Sequence, residues 1–262
     1  MKLSTTLKKK IVLLKQKKHR DNYGEFVIEG FKIIEEAFAA GREFSFIVIK
    51  NFLLNSSKTK EIIEVAERKK IKIFIADNRD FGVLSSLETP SGILAVVKKS
   101  GAQINEPSRP VQGENENISF LILDEIRDPG NLGTIIRTAD WFGIKNIVLG
   151  EGSVDIYNSK VLQSTMGSIF HVNIIENQNL IEFIKDLKLK NYSIIATSLD
   201  GKEQLDFEKE KFALIMGNES HGLNQDILNL ADLEYKIPGR GKAESLNVAV
   251  ATGISLFNIL NK

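Results

Sequence analysis

Three short segments of this chain concentrate the side chains that could do chemistry, and each follows a run of apolar residues. In Leu123 to Gly143, LDEIRDPGNLGTIIRTADWFG, acids close the run, Asp128-Pro129-Gly130 form a turn, and a helical pattern begins with Asn131 placed as an N-cap. The free amides of such a helix start suit an anion. Arg137 lies about 140° around the helical wheel from the apolar face, where it can reach a phosphate or oxyanion or simply remain solvated. In Leu214 to Leu223, LIMGNESHGL, Gly217 and Gly222 mark turns or close backbone approaches and frame Asn218 and Glu219. Ser220 and His221 are neighbours, a placement that seldom points them at each other. The spacing G-x-S-x-G is absent and no acid is recognisably placed to orient His221, so a Ser-His hydrolase is set aside. In Ile237 to Phe257, IPGRGKAESLNVAVATGISLF, a Gly239-Arg240-Gly241-Lys242 loop leads to Ser245, read as the cap of a last helix with Asn247 in its first turn. Each segment alone is equally an ordinary strand–turn–helix junction.

The elements that must position these residues follow from periodicity. A length of 262 residues suggests two domains. From Glu29 to Val97, helices near 29–40 and 58–68 alternate with strands at 46–49, 72–75 and 93–97, the pattern of a small α/β domain. Lys98 to Asn117 is nearly devoid of apolar residues and reads as a linker. Residues 1–100 are therefore assigned to one domain, 101–117 to the linker and 118–262 to a second domain. There strands are expected at 118–123, 146–149, 171–174, 193–197, 212–216 and 235–237. Leu132, Ile135, Ile136 and Ala139 fix the buried face of one intervening helix. The last helix, from about 246 to 260, is apolar on almost every side and is expected to be buried. These runs predict a mostly parallel sheet covered on both faces, with the ligand beyond the carboxyl ends of its strands.

Composition narrows the chemistry further. The chain has no cysteine, so thiolate catalysis and cysteine-held metals are excluded, and His19, His171 and His221 are too scattered to suggest a metal cluster. No G-x-G-x-x-G follows a strand, and neither G-x-x-x-x-G-K-[ST] nor H-E-x-x-H occurs. No apolar run reaches a membrane span and no signal-peptide pattern opens the chain, which predicts a cytoplasmic protein with no membrane partner. The net charge of +1 hides a segregation. Residues 1–20 carry eight Lys/Arg and no acid, leaving 27 of the 35 basic residues against all 34 acids, a net of −7. Leu3, Leu7, Ile11 and Leu14 form an apolar stripe on this segment, so its cations are either a solvated face or contacts for phosphates.

Taken in order, N-L-G-T-I-I-R-T-A at 131–139, M-G-N-E-S-H-G-L at 216–223, and I-P followed after seven residues by S-L-N-V at 237–248 resemble the three motifs of the SpoU (TrmH-like) RNA 2′-O-methyltransferases of the SPOUT superfamily. The ordered triplet is specific where each motif alone is weak. The stretch VIEGFKIIEEAF in the first hundred residues is similar to the small ribosomal-protein-like substrate-binding domain that often precedes this catalytic domain. Gly239 departs from the methionine common after Ile-Pro, and Ala249 from a frequent serine after Asn-Val.

The resemblance implies an α/β catalytic domain knotted as a trefoil, with S-adenosyl-L-methionine as cofactor and no metal. It carries cofactor contacts over to Thr197, Gly217, Asn218, Glu219, Ile237 and Leu246, and catalytic roles to Asn131, Arg137, Glu219, Ser245 and Asn247. The implied reaction is attack of a ribose 2′-oxygen on a sulfonium methyl, with ribosomal RNA favoured over transfer RNA as partner. A guanidinium normally stays charged, so Arg137 is expected to orient a phosphate and stabilise developing alkoxide while a phosphate oxygen or water takes the proton. The resemblance also implies a homodimer through the catalytic domain, for which Val248, Val250, Ile254, Phe257 and Leu260 supply apolar surface. The alternative is an RNA-binding or ribosome-assembly factor that keeps the fold without catalysis. A general nucleotide-binding α/β protein has no phosphate-loop support.

Overall fold

The computed structural model describes residues 1–99, 119–205 and 211–261. The expected linker at 101–117 lies outside the described residues. In chain order the helices and strands are α1 (Thr5–Leu13), α2 (Lys17–Tyr23), β1 (Glu25–Glu29), α3 (Phe31–Ala39), β2 (Phe44–Lys50), α4 (Ser57–Arg68), β3 (Ile73–Ala76), α5 (Asn78–Leu84), β4 (Ile93–Lys98), β5 (Phe120–Leu123), α6 (Pro129–Trp141), β6 (Asn146–Gly150), α7 (Ser159–Thr165), β7 (Asn173–Gln178), α8 (Leu180–Leu189), β8 (Ser193–Lys202), β9 (Phe212–Met216), α9 (Gln225–Leu228), β10 (Leu233–Tyr235) and α10 (Val248–Leu260). Residues 1–99 and Tyr157–Phe170 form one compact unit, and residues 119–156 and 171–261 the other. The placement of Tyr157–Phe170 differs from the division expected at residue 118. Within the first unit Tyr157 meets Phe26 with tilted rings whose centroids are 4.5 Å apart, and the Lys99 ammonium lies 4.5 Å from the Tyr157 centroid.

In the first unit the described strands form a four-stranded sheet ordered β1-β4-β2-β3, antiparallel except for β2 beside β3. Strand β1 and helices α2 and α5 were not expected from periodicity, whereas the helical spacing of Leu3, Leu7, Ile11 and Leu14 anticipates α1. The apolar stripe of the basic segment does find a core: Leu3, Ile11 and Leu14 are buried with Phe46, Val48, Phe81 and Leu94. Ser4 starts α1 by accepting the Leu7 amide at 3.3 Å. The cations around that stripe divide into two sets. Lys8 pairs with Asp80, Lys10 with Glu25, Lys15 donates to the carbonyls of Val83 and Ser85, and buried Arg20 donates to those of Leu14 and Lys15. Lys9, Lys17 and Lys18 are exposed.

The second unit holds, within the described residues, a six-stranded sheet ordered β10-β8-β9-β5-β6-β7 with every pairing parallel. Runs such as FLIL and FALIM are buried at every position, as a parallel sheet covered on both faces requires. One face packs Phe120, Ile122, Val148, Ile194 and Ile215 against Leu180, Ile184 and Leu187 of α8. The chain runs outward from β5 through β6 to β7, then returns to build β8, β9 and β10 on the other side of β5. The sheet therefore reverses direction between β5 and β9, the place where such sheets open a crevice at their carboxyl edge.

Helix α10 packs beside α6. Its expected complete burial is corrected here: Val248, Ala249, Thr252, Ser255, Leu256 and Ile259 are buried, while Val250 (52%), Phe257 (56%) and Leu260 (42%) stay exposed on another face. The helix is apolar all round, and only one of its apolar faces is buried within this unit.

Ile11 is fully buried, so Ile11→Ala should destabilise the protein by about 2–5 kcal/mol. Equilibrium urea unfolding of the full chain checks this, and a loss below about 0.5 kcal/mol, the range of surface substitutions, contradicts the packing of the basic segment.

Candidate active site

The loops after β5 and β9 start side by side. Leu123 pairs with Met216, and the Asp124 amide donates to the Met216 carbonyl at 2.9 Å. Beyond that point the first chain turns into α6. Asp128, not Asn131, is the N-cap: its carboxylate accepts the Asn131 amide at 2.8 Å, with Pro129 in the first turn. An Asp directly before a Pro at the first helical position is the stronger cap signal. Sparing Asn131 from capping frees its carboxamide for other contacts.

At the start of α10 the cap is Asn247 rather than Ser245. Its Oδ1 accepts the amides of Ala249 and Val250 at 3.0 and 3.4 Å. Its Nδ2 is then left to donate outward, and does so to Asn131 Oδ1 at 2.9 Å. Asn131 Nδ2 in turn donates to Glu219 Oε1 at 3.0 Å. The chain of bonds has one direction, since an ionised carboxylate can only accept.

The loop carrying Glu219 is held closed by its own backbone. Asn218 and Gly222 exchange amide–carbonyl bonds of 3.1 and 3.0 Å. Buried Asn218 donates to the Glu125 carbonyl at 2.8 Å and accepts the Ser220 amide at 2.8 Å. Gly222 has φ +69°, and a Cβ on Gly217 would stand 2.5 Å from the Gly222 carbonyl carbon, so both glycines are required by geometry. Glu125, itself at φ +49°, pairs with Arg127 at 2.7 Å and has its Oε2 3.7 Å from His221 Nε2.

These loops enclose a cleft of about 510 Å³. Asn131, Asn218, Glu219, Ser245, Leu246 and Asn247 all line it. Arg137, Thr197, Gly217 and Ile237 do not. Arg137 is exposed farther along α6. Thr197 is half-buried on β8 and donates to the Ile215 carbonyl at 3.1 Å. Gly217 lies within the tight loop, and Ile237 is half-buried two residues past β10, where a strand to 237 was expected. Arg127, Asp128, Ser220, His221 and Val248 also line the cleft and were not assigned from sequence. For His221 the residue type is the signal, although its sequence neighbours point neither to a hydrolase pair nor to a metal cluster. Among the described residues no group of three or more His, Asp or Glu side chains could hold a metal ion.

A parallel α/β sheet whose switch-point loops enclose a polar cleft defines a small-ligand enzyme domain of the doubly wound class. Residues 119–257 match the SpoU rRNA Methylase family, and residues 8–95 match the MRM3-like substrate binding domain. The chain belongs to the SpoU rRNA methylase family. It is 34% identical over 248 residues, 94% of this chain and 92% of the other, to the 23S rRNA (guanosine(2553)-2′-O)-methyltransferase RlmP of Bacillus subtilis. It is 31% identical to an uncharacterized tRNA/rRNA methyltransferase of Archaeoglobus fulgidus, over 77% of this chain and 85% of that one. The AdoMet-bound rRNA methyltransferase from Sinorhizobium meliloti superposes with a TM-score of 0.82 at 29% identity, covering 98% of this chain and 95% of that one.

The half-buried carboxyl of Asp124 is held above its ordinary range, chiefly by desolvation and then by Glu125, with His221 and the Asn224 amide opposing. A carboxyl whose folded pKa is raised contributes stability that is complete below the unfolded value and is lost as pH rises through the folded one. Asp124→Asn should therefore match the wild type near pH 4 and be the more stable at pH 7, as read from urea midpoints. Parallel pH profiles for the two proteins contradict the assignment.

Proposed function

We propose that this protein transfers the methyl group of S-adenosyl-L-methionine to a ribose 2′-hydroxyl of RNA, ribosomal rather than transfer RNA. The observation that carries this reading is the hydrogen-bonded chain Asn247–Asn131–Glu219, which draws one residue from each of the three motif segments to the switch point of the sheet. In support, the Bacillus subtilis relative is named for 2′-O-methylation of 23S rRNA, and the Sinorhizobium meliloti structure is described as AdoMet-bound.

The cleft fits the cofactor. Its volume is within the range of small-molecule sites, and it sets apolar Leu246 and Val248 beside the Glu219 carboxylate, a lining suited to a ligand with both an apolar body and positive charge. We assign Asn218, Glu219 and Leu246, which line the cleft, to its binding, together with Thr197, Gly217 and Ile237, which the motif resemblance points to and which lie outside that lining. The bound cofactor supplies an electrophilic methyl on a sulfonium. Displacement at that carbon needs nucleophile and leaving group nearly in line, so the chain's task is positioning. Asn131 and Asn247 hold Glu219 and the α10 start in one geometry, and Ser245 stands at the same wall of the cleft. Arg137, exposed on α6, is assigned to a backbone phosphate and to the negative charge developing on the 2′-oxygen.

The first unit is assigned to RNA binding, with exposed Lys9, Lys17 and Lys18 as phosphate contacts. No helix among the described residues is long and apolar enough to cross a membrane, and a cytoplasmic location suits an RNA substrate.

Mapping of 2′-O-methyl positions by mass spectrometry, in cells with and without the gene, tests the function: one ribosomal site should disappear, and an unchanged map refutes it. Arg137→Ala should slow single-turnover methyl transfer about 10²-fold or more, in line with ~2.7–4 kcal/mol for one lost oxyanion donor, while calorimetric cofactor affinity is retained. Near-normal transfer removes the role given to Arg137.

A homodimer is proposed through α10, whose exposed Val250, Phe257 and Leu260, with half-buried Ile254, make an apolar stripe that a two-fold mate could cover. Val248, buried within its own unit, is not available for this contact. Light scattering should give about twice the 29.3 kDa chain mass, and Phe257→Lys should return the chain mass. A wild-type monomer at micromolar concentration contradicts the dimer.

A further inference from the structure

This inference rests on the methyl transfer proposed above and concerns what admits the RNA backbone to the cleft. A phosphate flanks the target ribose on each side, yet the cleft is lined by the carboxylates of Asp128 and Glu219, which repel it. Arg127 is the permanent cation in that lining, since Arg137 stands farther along α6. Its side chain is 67% exposed, and among the described residues its one partner is Glu125, reached through Nη2 at 2.7 Å. So exposed an ion pair contributes little to folding. It does tether the guanidinium, because Glu125 sits at a left-handed φ of +49° with its carbonyl accepting from Asn218 Nδ2 at 2.8 Å. The other N–H groups of the planar fork are left for an oxyanion, the geometry to which such a fork is suited.

Further cations lie on the connection between β10 and α10. Strand β10 is at one end of the order β10-β8-β9-β5, whereas Asn247, which opens α10, is bonded to Asn131 in the helix that follows β5. The connection therefore runs past the carboxyl ends of β8 and β9, about 14 Å at three strand spacings. Residues 238–247 are exposed at every position, and Ser245, Leu246 and Asn247 at the far end of this strap line the cleft. Arg240 and Lys242 come just before that wall, and among the described residues neither has a hydrogen bond or an ion pair. A Cβ on Gly239 or Gly241 would meet nothing within 4 Å, so the strap has room to move. Lys8, Lys10, Lys15 and Arg20 of the first unit are, by contrast, engaged by their own fold.

We propose that Arg127 and the strap cations Arg240 and Lys242 form a clamp for the RNA backbone, binding phosphates on the two sides of the target ribose in addition to the contact assigned to Arg137. Arg127 is the tethered half and takes its phosphate through the guanidinium fork. The strap is the adjustable half, whose glycines let its two cations follow the strand. Together they offset the charge of Asp128 and Glu219. Contacts to phosphates away from the reacting atoms are the same before and during transfer, so they are expressed in KM for RNA and not in kcat.

The test uses the full-length chain and ribosomal RNA from cells lacking the gene. Binding is measured across about 50 to 200 mM salt, with methyl-transfer kinetics and calorimetric affinity for S-adenosyl-L-methionine on every variant. Arg127→Gln, Arg240→Gln and Lys242→Gln should each lower the slope of log affinity against log salt by roughly 0.7 to 0.9. The variant carrying all three should have KM for RNA raised about 10-fold or more, with kcat and cofactor affinity retained. Arg127→Lys should keep the slope and still raise KM, because it keeps the charge and loses the fork. Lys185→Gln, on the exposed side of α8, should change neither. An unchanged slope in the triple variant overturns the clamp, and so does an equal change from Lys185→Gln. Lost cofactor affinity at an unchanged slope gives these cations to the cofactor's carboxylate and overturns it too. The slope is read from binding alone, so failure of the parent reading looks different: a wild-type chain that binds this RNA and transfers no methyl.

Discussion

The candidate site depends on the carboxamide of Asn247. That side chain has one acceptor and one donor end, and the unsatisfied amides at the start of α10 take the acceptor. The donor must then face away from the helix, where Asn131 meets it, and Asn131 in turn can only offer its own donor to Glu219. Residues 116 and 88 positions apart in sequence are joined by bonds whose polarity is set at one helix terminus. Reversing any one amide would set two donors against each other or a carboxylate against a carbonyl. A network of this kind is expensive to leave half-satisfied, which makes it a positioning device as well as a contact.

The sheet supplies the other half of the arrangement. Parallel strands put all their outgoing loops at one edge, and the reversal of strand order between β5 and β9 separates the outgoing chains just there. Space at this edge is shared closely by main chains. A Cβ on Gly201 would stand 2.7 Å from the Glu234 carbonyl group, and one on Gly217 would strike Gly222. The cleft therefore opens among loops that have little freedom to collapse into it.

In the first unit, charge serves folding before it serves any partner. Lys8, Lys10, Lys15 and Arg20 are drawn to acids and carbonyls of the same unit, while Ile11 and Leu14 anchor the helices that carry them. Burial holds the Lys15 ammonium below its ordinary pKa, with the charge of Glu29 acting against that shift. The cationic surface left for a phosphate backbone is thus smaller than the sequence count of eight suggests.

The sequence by itself determined the alternation of strands and helices, the apolar runs that make the second sheet parallel and doubly covered, and the order of the three motif segments. Those features are local: a run of buried residues or a glycine-framed loop carries its meaning in its own neighbours. Which residue caps α10 was decided only by tertiary structure, since Ser245 and Asn247 are equally able caps until the following turn is placed, whereas at α6 the Asp128-Pro129 pair already carried the stronger signal. The same holds for α10, whose two apolar faces look alike in sequence although only one has a partner in its own unit. It holds also for Tyr157–Phe170, which belong to the first unit, where Tyr157 meets Phe26, although they lie far along the chain. His221 was visible as a residue type, yet its neighbour Glu125, 3.7 Å away, is brought beside it only by the adjacency of β5 and β9. Spacing along a chain cannot state that adjacency, because the pairing of parallel strands is a long-range choice made by the packing of the whole sheet.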